Sequence, residues 1–336
     1  MAGKLCDRDA LGASADDSDI LVNRRSRSAL LALTGELAAL RADVAQLRLQ
    51  RENDAAAVSQ MATVLADIRA AVNPEREGAW GPVNIFAETR AIVGQLMDRT
   101  PDQRLRLTQA RASDAYAAVF EDRNPLVSVI TATYDRPETL FGRALPSILT
   151  QTHENIEVIV VGDGRHDEIV RQAAEVTDPR FRFEHLPHRG IYPEDDRARW
   201  MVAGAQAINR ATELARGSWI AKLDDDDEFT PDHVEKLLSV ALADRFEMVY
   251  GRMSVLRAGG EPEFSIGVYP PAHGQFGFQA AMYMSLLRFF EYDLGSWAQD
   301  EPGDWNFCRR MMDAGVRVGF TPDVVTTIYP AGPRAE

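Results

Sequence analysis

The chain has 336 residues, 45% hydrophobic and 26% charged, with a formal net charge of -14, which suits one large soluble domain with a smaller appendage. The acidic balance excludes broad electrostatic attachment to nucleic acid or to anionic lipid. Its two cysteines, Cys6 and Cys308, form no zinc-type spacing and no disulfide framework, so a reducing, cytoplasmic setting is expected; no run reaches the ~18 apolar residues of a membrane span, which leaves at most peripheral membrane association.

Residues 1–27, with Asp7, Asp9, Asp16, Asp17 and Asp19, lack the basic start and apolar centre of a signal peptide and are expected to be a disordered leader. In residues 28–75 apolar side chains recur at Leu33, Leu37, Leu40, Val44 and Leu47, then at Val58, Met61, Leu65, Ile68 and Val72 in the same heptad frame. That spacing predicts a coiled-coil helix and hence a homo-oligomer, with Arg51 and Asp54 as polar seam positions that select register or partner. The alternative is an amphipathic helix lying on its own domain. Asn73-Pro74 and the Gly/Pro-rich stretch 78–82 end it, and residues 76–123 are expected to form a helical bridge, with helices over 85–97 and 102–120.

After Asn124-Pro125 the pattern changes to β-rich runs at 127–133, 156–161, 181–185, 219–223 and 248–250. These alternate with amphipathic stretches at 137–150, 167–175, 198–215 and 231–243. Such alternation predicts an α/β domain over residues 124–330, built on a Rossmann-like, mostly parallel central sheet flanked by helices. Ligands of such sheets sit beyond the carboxyl ends of the strands. The residues there are Tyr134-Asp135, Gly162-Asp163 and the four consecutive acids Asp224 to Asp227. Crowded carboxylates that stay ionised hold a cation, and all-oxygen ligation selects hard ions such as Mg or Mn; the competing reading is a solvated acidic turn.

Three blocks carry a resemblance. Val127 to Arg136 (VSVITATYDR), Ser147 to Thr152 and Ile156 to Gly164 resemble the opening of the inverting family 2 glycosyltransferases, whose fold is GT-A. Asn209 to Asp227 is similar to the stretch that ends in their DxD signature, and Asp304 to Arg310, followed by Gly315 and Pro322, resembles the segment supplying their catalytic base. The resemblance implies a metal-dependent transferase that moves a sugar from a nucleotide-diphosphate donor, of the UDP or dTDP class, to a hydroxyl on a glycan, lipid-linked or small-molecule acceptor. Polysaccharide or glycoconjugate synthesis is the setting it implies. Asp226 then stands as the ligand of Mn or Mg, with Asp224 and Asp225 beside it on the donor. Thr133, Tyr134, Asp135, Asp163 and Asn209 are the other donor-side candidates, and Asp304 is the base. Asp300 and Glu301 rival Asp304, because Gly303 stands where the family commonly carries an acid, and Trp305 is an acceptor-side candidate. Gly162 and Ile208 depart from the family pattern in the nucleotide and diphosphate regions, with Arg165 a candidate for a compensating phosphate contact.

The chemistry agrees with these assignments. A departing diphosphate develops negative charge that a fixed divalent ion stabilises, and an acceptor hydroxyl needs a carboxylate to take its proton. The aromatic and Met-rich stretch from Phe276 to Phe290 is either core or one wall of an acceptor cleft. Two other functions compete: a coiled-coil scaffold with a non-catalytic transferase-like domain, and a nucleotidyltransferase or metal-dependent hydrolase, which also cluster acids after strands. A nucleotidyltransferase wants a Gly-rich basic loop near the first strand, and the sequence has none there.

Overall fold

The computed structural model describes residue 94, residues 98–257 and residues 260–329, all within the unit Arg90–Glu336. The expected leader, the coiled coil and, apart from Gly94, the helix over 85–97 lie outside the described residues.

The sheet starts from apolar runs bounded by turn residues. β1 (Val127–Thr133) and β2 (Ile156–Gly162) are buried along nearly their whole length, as strands covered on both faces must be. β1 lies between β2 and β4 (Trp219–Lys222), parallel to both. β3 (Phe181–His185) is the half-buried edge, parallel to β2. Helices cover these strands as the amphipathic spacing requires. α3, spanning 137–149, begins at Pro137, where a missing N–H removes nothing from the helix, and contains a π-helical turn at Leu140–Ala144. α4 (Asp167–Glu175) carries Asp167 and Glu168 in its first turn, facing the positive end of the helix dipole.

The helix expected over 198–215 is two helices, α5 (Asp196–Val202) and α6 (Ala205–Leu214). Between them Gly204 adopts a left-handed φ of 75°, which a residue with a Cβ resists. α6 packs on β1 and β2. α7 (His233–Asp244) buries Val234, Leu237, Leu238 and Ala241.

The second half of the sheet differs from expectation. Strand order is β3-β2-β1-β4-β8-β6-β9-β5, with β5 at Glu228–Phe229, β6 at Met248–Leu256, β8 at Ala281–Met284 and β9 at Val318–Ile328; β7 (Pro262–Ile266) pairs with β6. Four of the eight pairings among the described residues are antiparallel, so the sheet is evenly mixed and not mostly parallel. β8 causes the difference: it inserts antiparallel between β4 and β6. Its four residues, Ala-Met-Tyr-Met, are all buried and show no alternation, and a short apolar run of that kind does not declare itself as a strand. The aromatic stretch around it is largely core, with Phe278, Tyr283 and Phe290 at most 2% exposed. The mixed α/β sheet agrees with the GT-A architecture that the sequence blocks imply. Among the described residues no helix is long and apolar enough to cross a membrane.

Upstream of β1, α1 (Thr100–Arg111) and α2 (Asp114–Glu121) pack on one another, and α2 packs on α7. Leu107 and Phe120 are buried, and Phe120 meets the indole of Trp219 edge-on at 6.1 Å. The polar anchor is Glu247, whose side chain is fully buried. It accepts from Arg111 Nε at 2.7 Å and Nη2 at 2.8 Å, from Tyr116 Oη at 2.6 Å and from the Arg317 amide at 2.7 Å. Burial alone would raise its pKa; the Arg111, Arg317 and Tyr116 hydrogen bonds outweigh burial and hold it below the usual 4.5. A group whose folded pKa is depressed adds stability above its unfolded pKa and loses it as pH falls through the folded value. Glu247→Gln should therefore lower the unfolding free energy by about 3 kcal/mol at pH 7, measured by urea denaturation. The gap from wild type should close as pH drops below 4.5; an equal gap at pH 7 and pH 3 would refute the ionic anchor.

Candidate active site

β4 brings a charge into the core. Its sequence, Trp219-Ile220-Ala221-Lys222, is buried throughout, and the Lys222 side chain is only 5% exposed. Its Nζ lies 2.9 Å from Asp224 Oδ1 and 3.2 Å from Asp304 Oδ1. Burial pulls the Lys222 pKa down, but the charges of Asp224 and Asp304 more than offset it, and the ammonium is held well above its ordinary range. Asp304 stands in the first turn of α8 (Gly303–Ala314), where the helix dipole favours an anion. Tyr292 Oη donates to its Oδ1 at 2.8 Å and the Phe278 amide to its Oδ2 at 3.0 Å. A carboxylate with donors on both oxygens is fixed in direction and still has lone pairs to spare.

The four consecutive acids diverge. Asp224 accepts a second bond, from Gln279 Nε2 at 2.6 Å. Asp225 is 8% exposed; burial, with help from the charge of Asp226, raises its pKa to about 7 against the Thr133 hydroxyl and Arg136. Asp226 is paired directly by the Arg136 guanidinium, and its carbonyl accepts from Arg143 Nη1 at 2.7 Å. Asp227, 3% exposed, turns back into the fold to accept the Tyr329 amide at 3.1 Å, and burial pushes its carboxyl upward. Among the described residues no group of three or more His, Cys, Asp or Glu is arranged to hold a metal ion. The tetrad as a whole is therefore not an ion cage: successive side chains leave an extended turn in different directions.

A cleft of about 740 Å³ opens beside these groups. Asp224, Asp225, Asp226 and Asp304 line it, as do Thr133, Tyr134, Asp135, Asp163, Asp300 and Trp305. Three expected residues, Asn209, Glu301 and Arg165, are not on its wall. Asn209 spends both ends of its amide on the backbone of Tyr292, donating to the carbonyl at 2.9 Å and accepting the amide at 2.8 Å. It thereby sets the height of the tyrosine that holds Asp304. Glu301 accepts from Arg309 Nε and Asn306 Nδ2, both at 2.7 Å, and braces the start of α8. Asp300, in a left-handed conformation, accepts from Arg197 at 3.0 Å.

At the other end of the cleft Asp163 is 3% exposed. It accepts from the Gly190 amide at 2.9 Å and from Tyr192 Oη at 2.5 Å, so both of its oxygens order the chain after β3. Any side chain at position 190 would run into that tyrosine, since a Cβ there lies 2.6 Å from its hydroxyl. The face of Tyr134 is covered by the Arg189 guanidinium at 3.7 Å, so the cleft presents an arginine-tyrosine stack and not a bare ring. Arg165 turns away to Asp167 at 2.8 Å and is absent from the cleft wall; a short pairing two residues along the chain takes it first.

Sequence reasoning missed Lys222, Arg136, Arg189, Gln279 and Tyr292. Only Lys222 left a signal, a lone charge inside an apolar run just before the acids. The others reach the site through tertiary placement.

Comparison with known proteins places this geometry. The family model described as Glycosyl transferase family 2 matches residues 128–194 and 196–266. EpsH of Bacillus subtilis is 36% identical over 120 residues, covering 35% of this chain and 30% of EpsH. The succinoglycan biosynthesis protein ExoO of Rhizobium meliloti is 32% identical over 139 residues, covering 41% of this chain and 36% of ExoO. The chain thus spans well under half the length of these relatives. Among solved structures, S. aureus TarS 1-349 in complex with UDP aligns at a TM-score of 0.48 and 14% identity, covering 61% of this chain and 60% of that one. The matched segment, which runs from β1 through the acid turn into β7, is similar to glycosyl transferase family 2.

Proposed function

We propose that the domain transfers a sugar from a nucleotide-diphosphate donor, of the uridine or thymidine class, to an acceptor hydroxyl with inversion, in the building of a polysaccharide or glycoconjugate. One observation carries this reading: the buried Lys222 ammonium joins Asp224 of the strand-end turn to Asp304, 82 positions along the chain from the lysine, and both acids open into one cleft. The first belongs to the donor side and the second to the acceptor side.

Asp304 is the base. Its carboxylate is held by Lys222, Tyr292 and the Phe278 amide, which fix its direction so that a remaining lone pair can take the proton of an attacking hydroxyl. Thr133, Tyr134, Arg189 and Asp225 supply the nucleotide end. Asp226, with Asp224 reached through water, would hold a Mg or Mn ion. The donor set is all oxygen, and two carboxylates completed by diphosphate and water are what such ions accept. When bound, the ion would stabilise the charge of the departing diphosphate. Arg136, which pairs with Asp226 at the cleft wall, would give up that carboxylate to the ion and would face the same phosphates. The homo-oligomer expected from residues 28–75 belongs to this proposal as well.

A screen of nucleotide sugars by thermal shift and donor hydrolysis, with and without Mn, tests the reading; stabilisation by no nucleotide would favour a scaffold. Asp304→Asn should leave the donor KM within about twofold and lower transfer by about 10²- to 10⁴-fold. Wild-type transfer by that variant would remove Asp304 from the mechanism. Asp226→Ala should abolish both transfer and its stimulation by Mn, followed as initial rate against metal concentration. Lys222→Met leaves Asp224 and Asp304 crowded without a counter-charge and should lower stability by about 3 kcal/mol. Adding Asp304→Asn should return at least ~1 kcal/mol of that loss; strict additivity in urea denaturation would refute the coupling.

A further inference from the structure

The donor and base assignments leave one conspicuous group of side chains without a use. Trp200 is 60% exposed and Trp297 is 42% exposed, although an indole left in water forgoes the burial that large apolar side chains normally gain. Trp200 lies on the wall of the cleft, as does Trp305, which stacks on the ring of His273 at 5.8 Å and 28°.

Trp200 is also held in place. It rides on α5, whose first turn is capped by the Asp195 side chain accepting from the Ala198 amide at 2.8 Å. Arg199 ties that turn to the carbonyls of Pro193 and Glu194 at 3.2 and 2.6 Å. The helix is fastened to the segment that presents Asp304. Arg197 pairs with Asp300 at 3.0 Å, and the Met201 carbonyl packs so closely on Gly303 that a Cβ there would lie 3.1 Å from it. The residue next to Met201 and the residue next to Asp304 are thus both tryptophans on one cleft wall, on two elements bolted together.

We infer that Trp200, with Trp305, forms an acceptor subsite that takes a saccharide ring, so that the hydroxyl reaching Asp304 belongs to a sugar. The apolar C–H face of a sugar suits an indole, while its hydroxyls need charged and polar partners at the rim, which Arg197, Asp300 and His273 provide. A polyisoprenyl chain would want a continuous apolar groove, and the ion pair Arg197–Asp300 interrupts one here. This inference rests on the transferase reading, and the experiment separates the two.

The test uses the full chain and the nucleotide sugar that the wild type hydrolyses in the donor screen, in radiolabelled form. It is offered to an array of immobilised neutral oligosaccharides, to polyisoprenyl phosphate in phosphatidylcholine vesicles and to a serine-containing peptide. Label is expected on saccharide spots. Trp200→Ala should raise the acceptor KM about tenfold, leaving donor hydrolysis and donor KM within about twofold, and Trp200→Phe should recover most of the loss. Trp200 is exposed, so these variants fold; Trp305→Ala repeats the measurement on the second indole of the wall. Label on vesicles or peptide in place of saccharides, donor hydrolysis with no saccharide labelled, or equal acceptor KM in wild type and Trp200→Ala would each overturn the proposal. Failure to consume any nucleotide sugar would instead overturn the transferase reading beneath it.

Discussion

The site depends on a buried positive charge. Lys222 sits in the central sheet where an apolar residue would pack without penalty, and an ammonium is stable there only because two carboxylates face it. The dependence runs both ways: Asp224 and Asp304 approach one another across the cleft because the lysine lies between them. Two acids brought together by the fold without it would repel, and one would take up a proton or move away. The ammonium thus lets a strand-end turn and a helix N-terminus from distant parts of the chain share one cavity.

The surrounding polar groups serve that arrangement more than they serve a ligand. Asn209 fixes the Tyr292 backbone, Tyr292 donates to Asp304, and Gln279 holds Asp224. Asp163 is spent on the chain after β3, which in turn lays Arg189 over Tyr134. Residues placed at strand ends by the sequence therefore act in two ways. Some face the cleft, and others hold the residue that does. Preorganisation of this kind keeps a carboxylate aimed before any substrate arrives, so little reorientation is needed during reaction.

What was legible in the sequence follows from how each signal is encoded. β1, β2 and β4 are apolar runs that end in turn residues, and the acids after β4 are consecutive, so both the left half of the sheet and the acid turn could be placed from local pattern. β8 is a four-residue apolar run without alternation, and β5 has two residues; strands so short are defined by their partners. The break at Gly204 was hidden because the flanking residues keep a helical spacing on both sides of it. Gln279 and Tyr292 are ordinary residues in sequence, and their roles exist only after β8 and α8 have been set beside β4. Glu301 and Arg165 illustrate the reverse. Each carries the right chemistry at the right position, but a nearby partner of opposite charge claims it first.

The same logic explains why four consecutive acids do not form four ligands. Asp227 points into the fold and bonds the Tyr329 amide, and Asp225 is almost entirely covered, so burial raises both carboxyls. Burial raises the Asp224 carboxyl as well, but its side chain keeps 36% of its surface exposed against 12% for Asp225. Asp224 and Asp226 remain, and each already faces a cation of the protein, Lys222 in one case and Arg136 in the other. These two cations are not equivalent. Lys222 is 5% exposed and enclosed by the sheet, whereas the Arg136 side chain is 30% exposed at the cleft wall, on a long stem with room to turn. On the function proposed above, a cation arriving with a diphosphate would compete with the more exposed guanidinium and not with the enclosed ammonium. Asp224 is thus fixed from the core, whereas Asp226 is paired by an arginine at the cleft wall, which separates an acid that builds the site from one that faces its opening.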